Sequence, residues 1–303
     1  MLYKIMKRSE SVGIVIVNYN GEAYQNECIK SLYQMKYSNF KIIVVDSGST
    51  DNSLIILKEQ FPEVIVLEQF DNVGVAKGNN IGINYSIKLG MKYTLLLNND
   101  TEVDSLLLSK LVENATPRTV TVPKIYYYDP SDLLWYAGGE LDWRKITGTH
   151  EGYRQKEIAY GSEKSRLVTY SPTCCMLIDN SIFLKTGLMD ENYFMYYDDT
   201  DFCVRLNENG INILYISDAK IWHKVSSSTG GEGSRLLVYY SNRNCFYYTN
   251  KYRNKISNWA IIKKNSFLFI KWCCSLVYKK NNRLIKNAYL DYKREKMGRC
   301  DSY

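Results

Sequence analysis

Lys41-Ile-Ile-Val-Val45-Asp46-Ser47-Gly48-Ser49-Thr50-Asp51 decides the fold: a β-branched apolar run of strand length stops at a turn of small and acidic residues. Upstream, Val12 to Val17 is a second such run, ending at Asn18-Tyr19-Asn20-Gly21, and Glu22 to Tyr33 between the two has helical spacing. Downstream, Ser53 to Gln60 reads as helix and Val64 to Glu68 as a third strand. A helix is expected after Asn72 to Asn80, and Tyr93 to Leu97 is a fourth strand ending at Asn98-Asn99-Asp100. Strands alternating with helices predict an α/β fold, with a Rossmann-like, mostly parallel central sheet and flanking helices. In such sheets ligands bind beyond the carboxyl ends of the strands, where three polar clusters fall here.

Beyond Leu111 the pattern changes. Val120 to Tyr128 and Leu133 to Leu141 are short, aromatic and turn-bounded, while His150 to Ser165 reads as a polar excursion. Thr173 to Ile178 is expected as strand, Asp199 to Glu208 as helix, and Ile211 to Ile216 as a strand leading into Trp222-His223. From about Lys251 the chain turns helical, basic and aromatic. The expected organisation is one unit over 1–250, with halves at about 10–115 and 116–250, and a C-terminal extension over 251–303.

At 45% hydrophobic and 23% charged residues, the composition is that of an ordinary folded chain and does not indicate disorder. The formal charge of +7 is uneven, because Lys and Arg crowd the last fifty residues while carboxylates gather between Asp46 and Asp201. The basic tail contains no recognisable nucleic-acid reading module, so a nucleic-acid partner is not expected. Eight cysteines, among them Cys174/Cys175 and Cys273/Cys274, show neither zinc spacing nor a disulfide framework and are expected reduced and buried. The start of the chain carries Lys4, Lys7 and Arg8 without a small-residue cleavage site, so a cytoplasmic location is expected.

Five groups of residues have chemistry to offer. Asp46 and Asp51 bracket a turn that suits a ribose or pyrimidine imide, and equally a helix N-cap. Asn72-Val-Gly74-Val-Ala-Lys77-Gly78-Asn79-Asn80 combines glycines that allow close backbone approach with a lysine able to face an anion; its GxxxG spacing is not a dinucleotide fingerprint. Asp100, at the end of a wholly apolar strand, is a hard oxygen ligand suited to Mg2+ or Mn2+. Asp198, Asp199 and Asp201 cluster at a helix start beside aromatic rings, where an apolar wall can raise one pKa toward general-base duty. Spacing of four to Arg205 assigns Asp201 to an ion pair and leaves Asp199 free. His223, one of two histidines, can complete a metal site or sit as a core-edge ring.

Taken in order, Asn18-Tyr-Asn20, Val44-Val-Asp46-Ser-Gly-Ser-Thr-Asp51, Asn72-Val-Gly-Val-Ala-Lys-Gly-Asn-Asn80, Asn98-Asn-Asp100, Asp198-Asp-Thr-Asp201, Trp222-His223 and Tyr239-Tyr-Ser-Asn-Arg243-Asn244 resemble family 2 glycosyltransferases, especially the rhamnosyltransferase-like members that build bacterial surface polysaccharides. The resemblance covers roughly Val12 to Asn250. It implies a GT-A fold, inversion at the anomeric carbon, a nucleoside-diphosphate sugar donor and a divalent metal, Mn2+ or Mg2+. On that analogy Asn18, Tyr19, Asp46, Asp51, Asn72, Lys77, Gly78 and Asn99 line the nucleotide, and Asp100 and His223 hold the metal. Asp199 is the catalytic base, and Asp198, Trp222 and Arg243 contact acceptor or diphosphate, although an arginine in a Tyr-rich helix equally suits a structural ion pair. Two departures stand out: Asn98 replaces the first acid of a full DxD motif, and Asp198-Asp199 replaces the usual Glu-Asp pair. The implied donor is dTDP-rhamnose first, with UDP-linked hexoses or galactofuranose next, and the acceptor a growing, lipid-linked glycan.

Two other readings remain in view. A noncatalytic glycan-binding or scaffold protein would keep the fold without turnover. A sugar nucleotidyltransferase would want a glycine-rich basic loop near the N-terminus, which Asn18-Tyr19-Asn20-Gly21 is not. In the tail, Asn265 to Tyr278 is apolar but shorter than the ~20 residues that cross a bilayer, and Lys271 interrupts it. Flanked by Lys263, Lys264, Lys279, Lys280, Arg283 and Lys286, it is expected to lie on an anionic membrane surface, to pack on the catalytic unit, or to form a homodimer contact.

Overall fold

The computed structural model describes residues 9–160, 164–225, 234–277 and 282–300; Lys4, Lys7, Arg8, Lys279 and Lys280 lie outside the described residues. Four parallel strands open the chain: β1 (Val12–Asn18), β2 (Phe40–Asp46), β3 (Ile65–Glu68) and β4 (Tyr93–Asn98). They are linked by α1 (Gln25–Tyr33), α2 (Ser53–Gln60) and α3 (Gly74–Lys88). The continuous apolar runs of β1, β2 and β4 follow from burial on both faces, as βαβ crossovers require.

Next come β5 (Thr101–Val103), α4 (Leu107–Asn114), β6 (Thr119–Tyr127), β7 (Leu134–Tyr136), β8 (Leu141–Asp142), β9 (Thr147–Gly148) and the one-turn α5 (Glu157–Tyr160). β10 (Arg166–Val168), β11 (Cys175–Asp179), the short α6 (Phe183–Thr186), α7 (Asp198–Glu208) and β12 (Asn212–His223) complete this part. The chain ends with α8 (Arg235–Lys251), α9 (Asn258–Val277) and α10 (Asn282–Lys293). One sheet runs β10-β12-β6-β11-β4-β1-β2-β3, with β7 beside β6 and β5 beside β12. β11 is antiparallel to both β4 and β6, while β12 is parallel to β6, so the sheet is mixed and mostly parallel, as the strand pattern implied.

The strand expected to end at Ile216 continues as β12 to His223, and the start of α3 differs from the sequence reading for a packing reason. The glycine-rich segment expected as a loop up to Asn80 is already helix from Gly74. A Cβ on Gly78 would stand 2.7 Å from Val17 Cγ1, one on Gly82 would stand 2.2 Å from Val15 Cγ1, and a Cβ on Gly13 would stand 2.2 Å from Ser86 Oγ. Small residues four apart thus let α3 lie directly on β1, and the close approach they allow is helix to strand.

α3 also fixes the segment that leads into α7. Asn80 donates to the Met189 carbonyl and to Glu191, each at 2.9 Å, and accepts from the Met189 amide at 2.9 Å. Phe194, Tyr196 and Tyr197 all have positive φ, a conformation that bulky residues adopt only when their surroundings hold them there. Fully buried Asn244 of α8 supplies the hold: its Nδ2 donates to the carbonyls of Tyr193, Met195 and Tyr196 at 2.7, 2.8 and 2.9 Å. Cys28, Cys174, Cys175, Cys203, Cys245, Cys273 and Cys300 are free, and burial pushes the Cys28 thiol up to about 12.

Candidate active site

β4, β1 and β2 end side by side, with Asn18 level with Asp46 and Val17 level with Asn98. A polar rail crosses these ends. Asn99 Nδ2 donates to Asn18 Oδ1 at 2.9 Å, and Asn18 Nδ2 donates to Asp46 Oδ1 at 3.0 Å. Ser49 Oγ and Ser49 N close the turn onto Asp46 at 2.6 and 3.0 Å. Asp51 ties the loops together, accepting from the Glu22 amide at 3.0 Å and from Ser53. Burial pushes its carboxyl up, but the Ser53 and Glu22 hydrogen bonds outweigh that and hold it below the usual range. Asn72 Oδ1 accepts from the Gly74 amide at 3.0 Å. Tyr19 and Lys77 are exposed, and Gly78 faces Val17.

Pairing of β5 with β12 sets His223 opposite Thr101 and brings it over Asp100. His223 Nε2 lies 3.0 Å from Asp100 Oδ1, and both residues are almost wholly buried. Burial raises the Asp100 carboxyl, yet the His223 charge beside it and, more weakly, Lys224 pull it below the usual carboxylate range. His223 Nδ1 has no hydrogen-bond partner, and the close contact of Asp100 Oδ1 is His223 Nε2 itself. A buried polar atom without a partner is costly, and a buried acid–imidazole pair that carries one suits a divalent cation. Among the described residues no group of three or more His, Cys, Asp or Glu can hold a metal alone. The pair could supply an oxygen and a nitrogen ligand to Mg2+ or Mn2+.

α7 carries the second half of the site. Asp199 is half-buried at its first turn; Oδ2 accepts from Tyr170 OH at 2.7 Å and Oδ1 from the Thr200 amide at 2.6 Å. Asp198 beside it is buried, and burial followed by the Asp199 charge pushes its carboxyl up to about 8. Asp201 is fully buried. It forms the i to i+4 pair with Arg205 at 2.8 Å and also accepts from Tyr252 OH and Lys251 Nζ.

Aromatic rings connect the two halves. The Trp135 ring centre is 4.8 Å from that of His223 and 4.6 Å from that of His150, and His150 in turn lies 5.8 Å from Tyr170. His150 Nδ1 lies 3.0 Å from the Trp135 carbonyl, which can only accept, so Nδ1 carries the proton and Nε2 keeps its lone pair. Burial pulls the His150 pKa down against that carbonyl and Asp199, leaving a neutral ring between the Asp100–His223 pair and Asp199. A Cβ on Gly148 would stand 2.3 Å from the Tyr170 ring, so glycine there gives the ring its place.

The family model of glycosyl transferase family 2 matches residues 13–185, more than half of the chain. The chain belongs to glycosyl transferase family 2. Among curated relatives, this glycosyltransferase is 26% identical over 281 residues to the low-salt glycan biosynthesis hexosyltransferase Agl10 of Haloferax volcanii, covering 84% of each chain. It is 25% identical to the dTDP-rhamnosyl transferase RfbF of Shigella flexneri, over 73% of this chain and 71% of that one. It is 22% identical to the N-acetylglucosaminyl-diphospho-decaprenol L-rhamnosyltransferase of Mycobacterium tuberculosis, over 74% and 80%. Of solved structures, GalNAc-T7 with UDP, GalNAc and Mn2+ superimposes with a TM-score of 0.62 at 17% identity, over 80% of this chain and 48% of that longer one. The likeness is one of fold, and the fold is GT-A.

Two of the expected ligand contacts of the glycosyltransferase have protein partners. Arg243 is fully buried, donating to the Gly298 carbonyl at 2.6 Å and lying over the Tyr239 and Tyr240 rings. Its charge joins α8 to the end of the chain. Trp222 stacks on Tyr126 and donates its indole N–H to the Ser131 carbonyl at 3.3 Å. Trp135, His150 and Tyr170 escape a reading by motif. Their signal is weak: a second histidine flanked by glycine and aromatic residues in a segment otherwise polar.

Proposed function

We propose that this glycosyltransferase transfers a sugar, rhamnose first, from a nucleoside diphosphate to a hydroxyl of a growing, lipid-linked surface polysaccharide, with inversion. The observation that carries the reading is one continuous wall at the carboxyl ends of the strands. There the buried Asp100–His223 pair and the oriented carboxylate of Asp199 are joined through Trp135, His150 and Tyr170. A dTDP donor is supported by the named activity of the Shigella flexneri relative, and UDP by the ligand of the solved neighbour. A lipid-linked acceptor is supported by the name of the Mycobacterium tuberculosis relative. Such an acceptor places the reaction at the cytoplasmic face of the cell membrane.

Asp199 takes the proton of the acceptor hydroxyl as that oxygen attacks the anomeric carbon and the bond to the diphosphate breaks. A base must be ionised and reachable. Asp198, buried and raised to about 8, holds its proton near neutrality, whereas Asp199 is half-exposed and aimed by Tyr170 and Thr200. Neutral Asp198 also spares Asp199 an adjacent negative charge. A divalent cation held by Asp100 and His223 supplies, when bound, the positive charge that stabilises the departing diphosphate. The polar rail of Asn99, Asn18 and Asp46 borders the nucleoside.

Transfer from a panel of nucleotide sugars to a lipid-diphosphate acceptor tests the reading. Asp199→Asn lowers kcat by about 10²–10⁴-fold, and Tyr170→Phe by about tenfold, with donor affinity preserved. Full activity in Asp199→Asn, with activity lost in Asp198→Asn, overturns the assignment of the base.

A further inference from the structure

α9 is apolar on more than the side it packs. Leu268 and Ala260 point inward and are buried, yet Trp259, Ile262, Phe267, Phe269 and Ile270 are 58–65% exposed. At 100° per residue Trp259, Ile262, Phe267 and Ile270 fall on one broad face opposite Leu268, with Phe269 at its edge. A helix apolar all round is ordinarily buried all round, and this one is not. Nor is its inner side filled: a cavity of about 730 Å3, lined in part by Phe246, Leu268 and Trp272, opens between α8, α9 and α10. Lys286 and Lys293 of α10 also line it.

Charge decides what covers this face. Residues 251–303 hold fourteen Lys and Arg against three carboxylates, so the first 250 residues are net negative and the whole formal surplus lies in the tail. Lys263 and Lys271 are exposed on α9 itself. A second copy of the chain docked face to face would set these cations against their own kind. A surface both anionic and hydrocarbon-bearing satisfies lysines and aromatic side chains together. Among the described residues no helix is long and apolar enough to cross a membrane, so the contact lies in the plane of the interface.

We propose that α9 docks the chain on an anionic lipid bilayer, with Trp259, Ile262, Phe267, Phe269 and Ile270 sunk into the headgroup–acyl boundary and Lys263 and Lys271 on the phosphates. The docking requires neither donor nor metal, so it stands or falls separately from the proposed transfer reaction. Flotation of the full chain with vesicles of phosphatidylcholine alone, and of phosphatidylcholine mixed with phosphatidylglycerol, tests it. The chain floats with the mixed vesicles and is released by salt. Ile262→Ser with Ile270→Ser, both at exposed positions, lowers partitioning by more than about tenfold while leaving the circular dichroism spectrum unchanged. Lys263→Gln with Lys271→Gln lowers it by about tenfold on the mixed vesicles only. Any of three results overturns the proposal: no flotation with either vesicle, a dimer in light scattering that the isoleucine pair dissolves, or binding of a single-stranded oligonucleotide in place of vesicles.

Discussion

Replacing Asp198 by Asn should stabilise the protein in mild alkali and do little in mild acid. Buried Asp198 is raised from 3.8 to about 8, chiefly by burial and then by the Asp199 charge. Between those values the folded state keeps a proton that the unfolded state has released, so stability falls as pH rises. One proton sets a ceiling of about 1.4 kcal/mol per pH unit. The penalty is absent below the unfolded pKa, grows across the window and is complete above about pH 8. Asparagine keeps the shape and removes the charge. Urea unfolding of wild type and Asp198→Asn at a series of pH values should show the mutant's advantage growing by about 1 kcal/mol per unit between about pH 5 and about pH 8. A difference that stays flat across this range would mean that Asp198 ionises freely, and would remove the reason for giving the base to Asp199.

Gly82→Ala should cost about 1–3 kcal/mol in urea unfolding, because the new methyl meets Val15 and must push α3 off β1. Asn244→Ala strips a shared donor from three carbonyls that hold residues 193–196, and should cost about 3 kcal/mol or more. Because that segment leads into Asp198 and Asp199, activity should fall further than stability accounts for; a variant of native stability and full activity would contradict this.

The first half of the fold was legible because its signals are local: apolar runs such as Lys41 to Val45 stop at turns, and the carboxyl ends of parallel strands gather the polar clusters. The start of α3 was misread because glycine marks a turn by propensity, and only the bulk of Val15 and Val17 across the interface makes Gly78 and Gly82 helical. Asp100 and His223 were legible as separate candidates, but their contact depends on the antiparallel pairing of β5 with β12, over a hundred residues apart. Nothing local announces positive φ at Phe194, Tyr196 and Tyr197, since aromatic residues disfavour it and Asn244 imposes it from another helix. For Arg243 the sequence left a diphosphate contact and a structural role equally open, and the structure shows it binding backbone carbonyls in the interior.

The central claim is that Asp100 and His223 hold a divalent cation that joins a nucleotide to the protein. Thermal unfolding with a panel of nucleoside diphosphates and their sugars, each with and without Mn2+ or Mg2+, tests it most directly in wild type and Asp100→Ala. A rise in Tm for one nucleotide that requires metal and vanishes in Asp100→Ala is the predicted result. A nucleotide-induced rise that is the same without metal, or that survives in Asp100→Ala, would contradict it.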